Sequence, residues 1–139
     1  NGRDAGIFTC DKVCQGVVVS MPDYPYSHVT RKEVVGVPIY GVTDPLYTHF
    51  CECKLGVAAH KVKESIAEIP SVVTAGDYVL VMTATGETVK EASDLVYKRL
   101  KSIHLPNSPM YRTDIGRRLK KQLPLLHAKG FARGLEWQK

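Results

Sequence analysis

The pattern of hydrophobic and polar positions divides the chain into two regions with different periods. Up to about residue 85, apolar residues come in short β-branched runs separated by Gly, Pro and Asp, which is typical of strands and turns. From residue 88 onwards, apolar residues recur at spacings of three and four, as they do on amphipathic helices. Many short strands followed by two helices predict an α+β domain with a small antiparallel sheet.

The clearest strand is predicted over 78–85, where both faces are largely apolar, so it should lie in the centre of a sheet. The run 16–20 predicts another strand with both faces covered. Between 21 and 32 the chain is rich in Pro and Tyr, which indicates an ordered loop. Weaker strands are predicted at 37–40, 47–55, 57–62 and 71–74. Pro70 is expected to separate the last two.

The helical region begins with a capping box. In it the Thr88 hydroxyl and the Glu91 carboxylate satisfy free backbone amides at the start of a helix. An apolar stripe then runs to Ile103, and two prolines beyond it end the helix. A second helix is predicted to start at Asp114 as its N-cap, and Pro124 should kink or end it.

Length and composition are those of one folded domain covering residues 1–139. Apolar residues make up 44% of the chain and charged residues 24%. No apolar run is long enough to cross a bilayer, so we expect no membrane partner. The chain begins with Asn1, and we expect it to have been excised from a longer polypeptide. Because no secretory signal pattern opens it, we expect a cytoplasmic protein.

Four cysteines raise the question of a metal or thiol site. They are Cys10, Cys14, Cys51 and Cys53, and their spacings are not the C-x2-C knuckle of structural zinc sites. We therefore expect reduced thiols and no metal. His49 lies on the same face as Cys51 if this segment is a strand, which permits a thiol–imidazole contact. A reactive thiol also needs an orienting group, which the sequence does not supply. Packing is thus preferred, with a thiol- or metal-dependent protein as the alternative.

The formal net charge of +5 is concentrated in two clusters. These contain Lys98, Arg99 and Lys101, and Arg112, Arg117, Arg118, Lys120 and Lys121. No aromatic residues interleave with them, as a platform for single-stranded nucleic acid would require. The charge pattern therefore favours a phosphorylated small molecule over nucleic acid as a partner.

The segment 111–118 combines an arginine with a predicted helix start. Arg112, beside the free amides of that start, suits a phosphate or carboxylate ligand. In the competing interpretation Asp114 simply caps the helix and Arg112 pairs with a surface carboxylate. Asp114 would also compete with an anion for those amides. One hypothesis is thus a freestanding binding module for a phosphorylated or anionic small molecule. No glycine-rich phosphate loop occurs, so nothing predicts ATP binding by this chain alone.

Three stretches of the chain carry a family resemblance. They are GVVVS at 16–20 with DYP at 23–25, TAGDYVL at 74–80 with TATGETVKEA at 83–92, and YRTDIG at 111–116 with Arg118. In this order they resemble the C-terminal domain of the phosphoribosylamine–glycine ligases, which are ATP-grasp ligases. The resemblance covers about residues 13–119 and leaves 120–139 as a basic C-terminal extension.

The resemblance implies an accessory domain of small-sheet or half-barrel type with two C-terminal helices. Family members join phosphoribosylamine to glycine in purine biosynthesis, with ATP and magnesium bound by an ATP-grasp core that is not part of these residues. The C-terminal domain packs on that core and walls the substrate cleft, so it is implied to hold no catalytic residue, no metal and no cofactor. Arg112 is expected to contact the substrate phosphate or the core, Asp114 and Gly116 to shape the helix start, and Arg118 to support them.

The chain also departs from the family pattern at three places. Cys51-Glu52-Cys53-Lys54 stands where His-Ala-Gly-Thr is usual, Arg117 replaces an aromatic residue, and Asp23 replaces a glycine. These departures leave open a divergent member or a related ATP-grasp ligase that acts on a different amine.

Overall fold

The computed structural model describes residues 9–26, 32–107 and 109–139. Its strands are β1 (Val13–Ser20), β2 (Thr48–Phe50), β3 (Cys53–Val62), β4 (Ser65–Thr74) and β5 (Tyr78–Gly86). The helices are α1 (Val89–Leu100) and α2 (Leu119–Ala128), and short 3₁₀ helices occupy Lys32–Val34 and Pro45–Tyr47. The strands pair antiparallel, and both helices follow them. The predicted α+β class is therefore confirmed.

Strand β5 lies in the middle of a three-stranded sheet of order β1-β5-β2, as its two apolar faces predicted. Helix α1 packs across β5 and β1. The main core includes Val79, Leu80, Met82 and Ala84 of β5, which point to both faces of the sheet. Val96 and Leu100 of α1 close the core from the helix side.

The predictions for residues 37–74 were wrong in their boundaries. Residues 37–40 form no strand and make only isolated bridges, one of them from Pro38, which has no amide to donate. The predicted strand 47–55 is interrupted by a turn at 51–52, between β2 and β3. Pro70 does not separate two strands but lies within β4, opposite Val57. Because β4 is paired on one side only at this point, a proline there can face the free side without losing a ladder hydrogen bond.

The predicted capping box is present at the start of α1. The Thr88 hydroxyl accepts a hydrogen bond from the Glu91 amide at 3.2 Å, and the Glu91 carboxylate accepts one from the Glu87 amide at 2.7 Å. The helix ends at Leu100, and Ile103 beyond its end still packs against the core. The predicted loop 21–32 is described only in part, since residues 27–31 lie outside the described ranges.

Helix α2 differs from its prediction at both ends. It begins at Leu119 with Arg118 at the N-cap position and no side-chain cap, so Asp114 is not the cap. The reason is that the Asp114 carboxylate is bonded to Arg112 instead. Of the two outcomes predicted at Pro124, a kink or an end, the end is wrong, because the helix continues through the proline to Ala128. Pro124 removes only the bond to the Lys120 carbonyl, which water can satisfy because Lys120 is exposed.

The C-terminal tail turns back onto the start of α1. The carbonyl oxygens of Glu136 and Trp137 accept hydrogen bonds from the amides of Val89 and Lys90, both at 2.9 Å. Free amides in the first turn of a helix need such partners. The residues after α2 therefore help to complete α1. Over the described ranges, no helix is both long enough and apolar enough to cross a membrane.

Candidate functional site

A pocket of about 560 Å³ opens beside β1, which is an edge strand of the sheet. Its walls come from β1, from the turn at 24–26, and from 110–112 with Ile115. Most of the lining is apolar or aromatic, and Ser20 and Arg112 add polar groups. The first and third of the stretches that carry the family resemblance thus meet in one concave surface.

Arg112 lies in the pocket wall with its side chain 72% exposed. Its Nε and Nη2 atoms donate to the two carboxylate oxygens of Asp114, at 2.9 and 2.7 Å. This two-fold hydrogen bond is the main reason why the pKa of Asp114 is lowered and the pKa of Arg112 is raised. A guanidinium has five N–H donors, so three remain for another acceptor. The competing interpretation is therefore confirmed in one half only: Arg112 does pair with a carboxylate, but that carboxylate is Asp114, which does not cap the helix.

The backbone around Arg112 is fixed by a side chain of α1. The Tyr97 hydroxyl donates to the Arg112 carbonyl at 2.9 Å and accepts from the Ile115 amide at 3.1 Å. The sequence analysis missed Tyr97, whose only signal is a phenol next to the apolar stripe of α1. A phenol in such a place usually finds a polar partner.

A second missed residue is Gln15, which is 7% exposed on β1. Its amide nitrogen donates to the Ile115 carbonyl at 3.3 Å and to the Ser93 hydroxyl at 3.4 Å. Gln15 shares the inward face of β1 with Val17 and Val19, both 1% exposed. A polar residue at an inward-facing position was the available signal, because buried polar groups are nearly always hydrogen-bonded.

Of the four predicted site residues, the structure brings three together. Gly116 has a φ of +80°, and a Cβ there would lie 2.6 Å from the Gln15 side-chain oxygen, so the position requires glycine. Arg112, Asp114 and Gly116 therefore belong to one turn held by Gln15 and Tyr97. Arg118 is exposed at the start of α2 and does not line the pocket.

Two of the cysteines, Cys51 and Cys53, lie at the other edge of the sheet, around the turn from β2 to β3. The sequence permitted a contact between the His49 imidazole and the Cys51 thiol, but the imidazole bonds the Thr83 hydroxyl at 2.9 Å. The Cys51 thiol instead donates to the His49 carbonyl at 3.5 Å. Burial raises the pKa of Cys53 to about 11, so this thiol is protonated and poorly nucleophilic at neutral pH. In the described part of the chain, no three His, Cys, Asp or Glu side chains converge in a way that could hold a metal ion.

Glu52, one of the departures from the family pattern, has a local structural role. Its carboxylate accepts a hydrogen bond from the Tyr78 amide at 3.0 Å, at the start of β5. A Cβ on Gly76 would collide with that carboxylate, so the turn before β5 and Glu52 fit each other.

Comparison with known proteins identifies the family. Residues 14–118 match the family model of the phosphoribosylglycinamide synthetase C domain. Similar curated proteins include the phosphoribosylamine–glycine ligases of Salmonella typhimurium (strain LT2) and Salmonella typhi, each 33% identical over 106 residues. Those residues are 76% of this chain but only 22% of each relative, so the chain spans about a fifth of the length of these ligases. Because the family model covers most of the chain, the protein belongs to the phosphoribosylglycinamide synthetase C-domain family.

Proposed function

We propose that this chain is the C-terminal accessory domain of a phosphoribosylamine–glycine ligase, an ATP-dependent enzyme of purine biosynthesis. The observation that carries the proposal is the family match over 14–118, which contains every residue lining the pocket beside β1. The name of the Salmonella relatives supports the same activity for the parent enzyme. In this proposal the domain is not catalytic alone.

The pocket walls the substrate cleft, and an ATP-grasp core supplies the rest of the active site. That core lies in the same polypeptide or in a partner chain, in the cytoplasm. ATP and magnesium bind to the core, as the family resemblance implies. The residues of this chain contribute binding surface and orientation.

Arg112 is the residue that we assign to the substrate phosphate or to the core. Its three remaining N–H groups suit a phosphate oxygen, and the aromatic lining beside it suits a sugar ring. Asp114 orients the guanidinium, and Tyr97 fixes its backbone. Gly116 permits the turn, and Arg118 adds positive charge nearby in sequence.

The test is steady-state kinetics of the complete ligase with Arg112→Ala. Loss of a charge-assisted hydrogen bond worth about 1.5–3 kcal/mol should raise KM for the phosphorylated amine by roughly 10- to 150-fold. The turnover number should change little, because this residue holds substrate and transition state alike. Arg117→Ala is the matched control, since Arg117 is exposed and lies outside the pocket lining. Equal KM values for the two variants would rule out the assigned contact.

A second test separates the domain from an enzyme in its own right. The 139-residue chain should turn over no ATP when purified alone, and measurable ATP hydrolysis by it would contradict the accessory role. The alternative function, a freestanding binding module, is favoured by the pocket being formed within this chain. Calorimetry with ribose 5-phosphate distinguishes the two: tight binding by the isolated chain that is lost in Arg112→Ala would support the module.

A further inference from the structure

The pocket beside β1 is more aromatic than a ribose phosphate needs. Three tyrosines from two segments of the chain line it, namely Tyr24 and Tyr26 after β1 and Tyr111 next to Arg112. A ribose phosphate carries hydroxyl groups and charge but no aromatic group, so one flat surface serves its sugar ring. A cavity of about 560 Å³ lies within the range of about 300–1,000 Å³ that holds drug-sized ligands. The pocket therefore has space and aromatic surface for a further group.

Two of the three tyrosine rings are accessible although they lie in a concave surface. Tyr26 is 83% exposed and Tyr111 is 40% exposed. Tyr24 differs from them because its ring stacks on Tyr78, with 5.5 Å between the ring centroids and 13° between the ring planes. A single exposed aromatic side chain is normal on a protein surface. Two of them in one pocket, beside an arginine, indicate a ligand that has a flat ring of its own.

Backbone hydrogen bonds fix the walls that carry these rings. The Ser20 amide donates to the Met110 carbonyl at 2.9 Å, and the Met110 amide donates to the Ser20 carbonyl at 2.7 Å. This pair joins the segment of Tyr111 to the end of β1. In the turn after β1, the Tyr26 amide donates to the Asp23 carbonyl at 2.9 Å. The pocket is thus formed before a ligand binds, which lowers the cost of ordering it on binding.

The charge of the lining favours an anion beside that ring. Among the described residues that line the pocket, Arg112 alone carries a charge. Three of its N–H groups remain after its two hydrogen bonds to Asp114. A phosphate on Arg112 and a flat ring on the tyrosines are together the two recognition elements of a nucleotide. A purine has the larger ring system of the two base types and covers more of the aromatic wall.

We propose that the pocket also binds purine nucleoside 5′-monophosphates, with the phosphate on Arg112 and the base against Tyr26 and Tyr111. Such a nucleotide shares its phosphoribosyl group with the substrate assigned to this pocket, so only one of them is bound at a time. This competition rests on the proposed function, whereas the binding itself does not. A ligase of purine biosynthesis would thus be inhibited by purine nucleotides through its accessory domain, away from the ATP site of the core.

Calorimetry with AMP on the 139-residue chain tests the binding without the ATP-grasp core. Tyr26→Ala and Tyr111→Ala should each weaken the Kd for AMP by about 5- to 150-fold, because the stacking of a base on an aromatic ring is lost. Tyr26→Phe and Tyr111→Phe keep the ring and should bind AMP as the wild type does. Phe131→Ala is the matched control, since Phe131 is 65% exposed and lies outside the lining. Thermal unfolding checks each variant, and the more exposed Tyr26 decides the result if Tyr111→Ala does not fold.

Two partial ligands separate the contributions of the base and the phosphate. Ribose 5-phosphate lacks the base, so it should bind at least about fivefold more weakly than AMP and lose nothing further in Tyr26→Ala. Adenosine lacks the phosphate, so its Kd should be the same in wild type and Arg112→Ala. Absence of AMP binding, or equal Kd values for AMP in wild type and both alanine variants of the tyrosines, would overturn the nucleotide site and leave the accessory role standing.

Steady-state kinetics of the complete ligase tests the competition. At saturating ATP, AMP should raise KM for the phosphorylated amine without lowering kcat, and Tyr26→Ala should raise the inhibition constant by the factor found for Kd. Inhibition that disappears at saturating ATP would assign AMP to the ATP site of the core and overturn the competition. A complete protein without ligase activity would refute the proposed function, and calorimetry on the isolated chain would still decide the nucleotide site.

Discussion

Replacing Gly116 with alanine places a methyl group in the turn that carries Arg112. Gly116 has a φ of +80°, and the new Cβ would lie 2.6 Å from the side-chain oxygen of Gln15. Gln15 is buried and donates to the Ile115 carbonyl and to the Ser93 hydroxyl. It cannot move away from the methyl group without weakening those hydrogen bonds. The substitution therefore strains the turn and its main support together.

The magnitude follows from three contributions. A left-handed backbone conformation costs a non-glycine residue about 1–2 kcal/mol. Weakening the hydrogen bonds of Gln15 costs about 1–2 kcal/mol more. Alanine restricts the unfolded chain and returns about 0.4–1 kcal/mol. The expected loss in the free energy of unfolding is about 1–3.5 kcal/mol for Gly116→Ala.

Gly36→Ala is the matched control in a urea-unfolding assay at neutral pH. Gly36 has a φ of +83°, but no described atom lies within 4 Å of its Cβ position, so it carries only the backbone cost. Gly116→Ala should therefore lose at least about 1 kcal/mol more than the control, and adding Gln15→Ala should remove part of that difference. Equal losses in the two single variants would refute the reasoning that Gln15 holds the turn.

Three more outcomes are expected. Leu123 is 2% exposed and Leu125 is 69% exposed. In urea unfolding, Leu123→Ala should lower the free energy of unfolding by about 2–4 kcal/mol and Leu125→Ala by less than about 0.5 kcal/mol. Equal losses would show that α2 is not packed on the domain. Burial raises the pKa of Cys53 from 9.0 to about 11, which lowers the fraction of reactive thiolate at pH 8. Mass spectrometry should therefore show that iodoacetamide alkylates Cys53 about 100-fold more slowly in the folded chain than in urea. Equal alkylation rates would contradict this. The Arg112 hydrogen bond lowers the pKa of Asp114 below 3.8, so the pair stabilises the fold above that pH and the stabilisation is lost as the pH falls through the lowered pKa. An NMR titration of Arg112→Ala should show that pKa raised, and the variant should lose less stability below pH 3.8 than wild type; an unchanged pKa would count against the pair.

The parts of the fold that could be predicted from sequence are those whose signals are local. Strand β5 carries apolar residues on both faces, and the capping box of Thr88 and Glu91 marks the start of α1 within four residues. The second helix start was misplaced for a local reason as well. Asp114 is a good N-cap residue, but Arg112 two positions earlier binds its carboxylate.

The β3–β4 hairpin was harder to predict because its exposed face is apolar. Rules for strands expect one buried apolar face and one polar face. Leu55, Val57 and Ile66 break that expectation, and Pro70 then suggests a strand boundary that does not exist.

The supports of the candidate site could not be identified from sequence, since their partners lie far along the chain. Gln15 bonds a carbonyl 100 residues away, and Tyr97 bonds backbone groups 15 and 18 residues away. The family resemblance named Arg112, Asp114 and Gly116, but it gave no reason why the turn keeps its shape. That reason is two hydrogen-bonding side chains from different elements.

The same helix links the C-terminal tail to this turn. The carbonyls of Glu136 and Trp137 satisfy amides in the first turn of α1, and Tyr97, two turns later, holds the backbone beside Arg112. The tail lies beyond the family match, which ends at residue 118, whereas the turn lies within it. An uncapped helix start frays, and the fraying decreases along the helix. The tail therefore stabilises the first turn of α1 directly and the backbone of Arg112 only indirectly, through Tyr97. Backbone carbonyls of the tail can accept these hydrogen bonds whatever their side chains are. For that reason no sequence pattern in 129–139 predicts the contact.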